Sequence, residues 1–100
     1  MKDITAYIDE NKAFVVDDKC AIVMKDSSNG VMIVLNEDTG VLHTPATVYF
    51  DSIRDNDPVF DIALTDEYNE TLSDCGFDVF MIASAVGKFN RFCANEIKSE

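Results

Sequence analysis

Few residues in this chain are equipped for chemistry: one histidine, His43, three cysteines, Cys20, Cys75 and Cys93, and 19 carboxylates. Any general-base step or imidazole–metal bond would rest on His43 alone. The cysteines have no C-x-x-C spacing and their count is odd, so the sequence writes neither a zinc knuckle nor a complete disulfide framework. Each sits among apolar or small neighbours (Cys-Ala-Ile, Cys-Gly-Phe, Phe-Cys-Ala), the setting of a buried, reduced thiol. Nothing local supports a nucleophilic pair between His43 and any of them.

The carboxylates are patterned more tellingly. Asp55-Asn56-Asp57-Pro58-Val59-Phe60-Asp61 has oxygen ligands at calcium-like spacing and over six residues resembles the Asp-Asn-x-Pro-x-Phe linker of cadherin repeats, which would imply calcium. An EF-hand loop counted from Asp55 fails, because Phe60 stands where the sharp turn requires glycine. A capped helix start accounts for the same residues more simply. There is no G-x-G-x-x-G or Walker loop, and no tryptophan to build a sugar groove around paired acids. Asn69-Glu70-Thr71 matches a glycosylation acceptor, idle without a secretory route. The sequence therefore implies no catalytic set, no metal and no cofactor, and a protein that is not an enzyme.

What stands out is residues 51–78, where Asp51, Asp55, Asp57, Asp61, Asp66, Glu67, Glu70, Asp74 and Asp78 are offset by a single base, Arg54. Most of the formal net charge of −11 is concentrated there. Read as helix, Glu67, Glu70, Asp74 and Asp78 step by three and four residues and line one face. Asp51 with Asp55, and Asp57 with Asp61, repeat the four-residue step. Like charges at that spacing weaken a helix by a few tenths of a kcal/mol per pair, roughly. Such a row of carboxylates offers a potential similar to a nucleic-acid backbone. These nine residues are the candidate partner-binding face, and replacing Glu67, Glu70 and Asp74 by lysine should abolish binding.

The partner expected is a basic nucleic-acid-handling protein, such as a nuclease, CRISPR effector or toxin. Direct contact with nucleic acid or with an anionic membrane is disfavoured at a pI near 4.2. In size and charge the chain is similar to small acidic inhibitors: phage anti-CRISPR proteins, DNA mimics and nuclease-immunity proteins. That likeness is one of profile and covers no motif. The competing expectation is a structural or homo-oligomerising subunit with an apolar interface and an acidic solubility face.

The elements that must carry these residues belong to one domain, 1–100, because hydrophobic residues at 47% and charged residues at 27% describe a folded body rather than an acidic tail. No apolar leader follows the N-terminus, and the longest apolar runs, about five residues, fall far short of the ~20 that span a bilayer, so a cytoplasmic protein is expected. Alternation at Ile4, Ala6 and Ile8, then the apolar run 13–16, favours two short strands, with a helix through Ile4 and Ile8 as the alternative. Apolar runs 20–24 and 31–35 form a hairpin, for which Asn29-Gly30 supplies a type I′ turn. Hydrophobicity without alternation in 31–35 marks a central strand. Residues 36–40 turn the chain again, and a third sheet element begins at Val41-Leu42-His43.

Thr44-Pro45 reads as a helix start with Ala46, Tyr49, Phe50 and Ile53 on one face, although the β-rich Thr47-Val48-Tyr49-Phe50 argues for sheet. Asp57-Pro58 repeats the helix-start pattern. A strand over 59–64 followed by a helix from Asp66 is the alternative. Ser73-Asp74-Cys75-Gly76 is a joint. From 78 to 97 the pattern is strongly amphipathic, with Val79, Ile82, Ala83, Val86, Phe89, Cys93 and Ile97 on one side and Ser84, Lys88, Arg91 and Asn95 opposite. The fold expected is α+β: a small antiparallel sheet from the N-terminal half, with helices from the C-terminal half packed on one face.

Overall fold

The computed structural model describes residues 3–98, and side chains as far as residue 96. Five strands follow one another as an antiparallel meander: β1 Ala13–Val15, β2 Cys20–Met24, β3 Asn29–Leu35, β4 Leu42–Arg54 and β5 Asp57–Leu64. Two helices follow, α1 Tyr68–Cys75 and α2 Val79–Lys98. This is the expected α+β arrangement, with the sheet running further along the chain, to Leu64. No helix among the described residues is long and apolar enough to cross a membrane.

The two helix starts read at Thr44-Pro45 and Asp57-Pro58 are instead strand positions. Pro45 lies where the β3–β4 register shifts, so its missing N–H breaks no ladder bond. Pro58 pairs with Ile53 on the edge strand β5. Between them Asp55 and Asn56, at φ 52° and 70°, form the two-residue turn of the β4–β5 hairpin. The Asp-Asn-Asp-Pro run that looked like a calcium linker or a helix cap is this turn. With the proline grammar ambiguous, the β-branched and aromatic residues at 47–50 decide for strand.

The β2–β3 hairpin forms in the expected place, but its turn is not Asn29-Gly30, which is the start of β3. The reversal is made by residues 25–28, where Asp26 Oδ1 accepts the backbone N–H groups of Ser28 and Asn29, both at 2.8 Å. Those two donors hold the Asp26 carboxyl below its usual range. At the N-terminus only the second expected strand exists. Residues Ile4–Ala6 form a 3-10 turn because Asp3 accepts the Thr5 N–H at 3.0 Å, and Asp9 does the same for Asn11 ahead of a second turn at Glu10–Lys12. Ile4 is fully buried with Ala21 and Leu35 on the sheet face opposite the helices. β3 is central and covered on both faces, as its sequence implies.

The main core joins Cys20, Ile22, Met32, Val34, Ala46, Val48 and Phe60 of the sheet to Ile82, Ala85, Val86 and Phe89 of α2. Phe89 touches Phe14 of β1 at 5.6 Å and Phe60 of β5 at 5.2 Å, ring to ring, so both edge strands converge on one helix residue. A flat five-stranded sheet would hold its edges about 19 Å apart. The sheet therefore curls around α2. The buried stripe of α2 is turned toward Ala85 relative to the expected one: Val79 and Ala83 are exposed, Cys93 is half-buried, and the Ile97 side chain lies outside those described.

Candidate functional site

The structure separates the nine acidic candidates into two groups. Asp51, Asp55, Asp57 and Asp61 belong to the β4–β5 hairpin, Asp51 as the extra residue of a bulge between Phe50 and Ser52. On a strand the Asp57 to Asp61 step is about 13 Å, roughly twice its helical value. Asp66 and Glu67 precede α1, Glu70 and Asp74 lie on it, and Asp78 caps α2 by accepting the Met81 N–H at 3.0 Å. Gly76, left-handed at φ 68°, ends α1 between Asp74 and Asp78. The expected single-file row is thus broken, because only Glu70 and Asp74 lie on α1, with Glu67 at its N-cap.

These carboxylates also differ in employment. Glu67 accepts the Thr44 hydroxyl, Asp74 is bonded to His43 and Asn36, and Asp78 is a cap, so three of the nine hold elements in place. Asp51, Asp55, Asp61, Asp66 and Glu70 are exposed, and among the described residues none of these five forms an ion pair with a lysine or arginine. Asp51 and Asp61 accept from their chain neighbours, the Ser52 hydroxyl at 3.2 Å and the Ile62 N–H at 2.7 Å.

The structure brings together a second constellation that the sequence did not signal. His43 is on the helix-facing side of β4, opposite Val34, and is buried at 4% exposure. Its Nε2 donates to Asp74 Oδ2 at 2.7 Å, and Asn36 Nδ2 donates to the same oxygen at 2.9 Å. The Cys75 thiol lies 3.9 Å from it. Asn36 is itself fixed, accepting the Asp38 N–H at 2.9 Å with its side-chain oxygen. The hydrogen bonds from Asn36 and then His43 lower the Asp74 carboxyl below its ordinary range, while burial and the neighbouring Asp74 raise the Cys75 thiol.

This arrangement does not activate a nucleophile. The Nε2 that would take the thiol proton is already turned to Asp74, and the thiolate is disfavoured beside that carboxylate. Cys20 is inert for another reason: burial pushes its thiol up to about 12. Cys93, also a free thiol, is raised by burial and then by Glu96. His43 and Asp74 lie 31 residues apart, and no local spacing announces their meeting. The one available signal was a lone histidine in an apolar strand. No protein-family model, curated protein or solved structure matches the chain, so neither kinship nor fold supplies a function.

Proposed function

We propose that this chain is an acidic protein-binding inhibitor that occupies a basic, nucleic-acid-binding surface of a partner. The observation that supports this most is the state of Asp51, Asp55, Asp61, Asp66 and Glu70: exposed, carried on or beside ordered elements, and unneutralised by any described lysine or arginine. Charges fixed by a folded scaffold attract a cationic partner without the ordering entropy a flexible tail would lose. Two groups, on the hairpin and around α1, replace the single helical row as the contact. The three free cysteines fit a reducing, cytoplasmic setting.

The test is a pull-down from host extract at low and high salt, with duplex DNA as competitor. Steep loss of the captured protein with salt, displacement by DNA, and loss in an Asp61→Lys/Asp66→Lys/Glu70→Lys variant of unchanged circular dichroism support the proposal. Capture indifferent to salt, DNA and charge reversal overturns it.

A second reading has its own observation. Val79, Phe80 and Met81 open α2 with exposures of 40%, 80% and 49%. Three consecutive exposed apolar side chains suit an oligomeric or structural contact. That interface would give a salt-insensitive dimer by sedimentation, dissociated by Phe80→Glu.

A further inference from the structure

We propose that His43, Asp74 and Cys75 form a zinc site, joining β4 to the last turn of α1. Each of the three side chains offers one donor atom, an imidazole nitrogen, a carboxylate oxygen and the thiol sulfur, and these atoms all lie within 4.8 Å of one another. Around a tetrahedral zinc with bonds of about 2.0 Å to N and O and about 2.3 Å to S, neighbouring donors stand roughly 3.2 to 3.6 Å apart. Here Nε2 to Oδ2 is 2.7 Å and Sγ to Oδ2 is 3.9 Å. The first edge has to open and the second to close by well under 1 Å, roughly, and the third, imidazole to thiol, lies within 4.8 Å and has to close by at most about 1.3 Å to admit the ion.

The surroundings suit a metal. Asn36 donates to the ligating carboxylate oxygen, the outer-sphere support that metal-binding carboxylates use. His43 is fixed by its strand, whereas the Asp74 side chain is 40% exposed, so the ion has a route in. His43 and Asp74 line a hollow of about 450 Å³ with Glu70 and Ser73, and Cys75 lines a separate one of about 160 Å³ with Asp74 and Asn36, so the ion would sit at Asp74, where the two meet, with water reaching it from either side. One nitrogen, one oxygen and one sulfur donor favour zinc over magnesium or calcium, which take oxygen alone. On binding, the imidazole proton passes from Nε2 to Nδ1 and the Cys75 thiol releases its proton to solvent.

Cobalt(II) titration of the intact protein tests this, since a thiolate–cobalt bond gives a charge-transfer band and a tetrahedral site gives intense d–d bands. One equivalent of cobalt should produce both, and zinc should remove them. Cys75→Ser should abolish the charge-transfer band and weaken zinc binding at least tenfold, while Cys93→Ser changes neither. In the unaltered protein, zinc should also slow alkylation of Cys75, read by mass spectrometry, and leave Cys93 unaffected. Absence of the bands from the unaltered protein, their persistence in Cys75→Ser, or equal protection of Cys93 overturns the proposal. The alkylation measurement needs no variant to fold.

Discussion

His43 Nε2 donates to Asp74 Oδ2 across 2.7 Å, tying the buried face of β4 to the C-terminal turn of α1. α1 has eight residues, too few to persist as an isolated helix in water. It is held by side chains: Thr65 Oγ1 donates to the Thr44 carbonyl at 2.6 Å, Thr44 donates to Glu67, and Asn36 and His43 share Asp74. Asp74→Ala removes the acceptor at one end of this set. Amide hydrogen exchange in α1 should quicken by at least tenfold while α2 exchanges as before, because α2 is secured separately by Ile82, Val86 and Phe89. Uniform quickening through both helices would mean that α1 does not open on its own.

Asn90 has a comparable role on the other helix. Its side-chain amide accepts the Phe60 N–H at 2.8 Å and donates to the Phe60 carbonyl at 2.9 Å. Phe60 lies on the edge strand β5, whose outward backbone groups have no further strand to pair with. One amide from α2 satisfies both. Asn90→Ala leaves them unpaired in a half-buried setting and should lower stability by about 1–3 kcal/mol in urea unfolding. Asn90→Asp should lose the donated bond and lower stability as well.

Asn90 also shows where sequence reasoning runs out. The amphipathic pattern of α2 was legible because Ile82, Val86 and Phe89 recur at helical spacing, and the joint at Gly76 because only glycine adopts its left-handed conformation readily. A polar residue within that pattern carries no mark of the strand it will clasp 30 residues earlier. The same holds for His43 with Asp74, a contact made by topology. Proline misled for a different reason. Thr44-Pro45 and Asp57-Pro58 meet the local rule for a helix start, and a bulge or an edge strand accepts proline equally well. The acidic residues were legible as a composition; their division between a hairpin and α1 followed from that same choice.

Cys20 gives the protein an alkaline limit. Its thiol is pushed up from 9.0 to about 12, chiefly by burial and then by Asp17, so the folded state favours the neutral form. A raised folded value means that this contribution is fully present below pH 9.0 and is lost as pH rises toward about 12. At pH 10.5 the loss should amount to about 2 kcal/mol. Comparing urea midpoints at pH 8 and pH 10.5, Cys20→Ala should be less stable than the parent at the lower pH and should lose less on going to the higher one. Parallel losses in both proteins would place the alkaline limit elsewhere.

Two hairpins make opposite demands on their glycine and asparagine. Gly30 is an ordinary strand residue paired with Met24, and a Cβ there would come within 2.6 Å of Met24 Sδ and 2.7 Å of the Val23 carbonyl oxygen. The methionine tip could swing aside, but the backbone oxygen could not. Gly30→Ala should therefore destabilise the domain by about 1–3 kcal/mol through steric crowding. The β4–β5 turn lacks glycine although it needs it: Asp55 and Asn56 both hold positive φ, at 52° and 70°. Asn56→Gly relieves that turn and should raise stability by about 0.5 kcal/mol, whereas Asn56→Val, a β-branched residue unsuited to positive φ, should lower it by about 1–2 kcal/mol. Thermal unfolding of the three variants side by side measures these effects. A Gly30→Ala variant as stable as the parent would mean that the hairpin backbone makes room for the added methyl, and destabilisation by Asn56→Gly would mean that the β4–β5 turn does not hold Asn56 at positive φ.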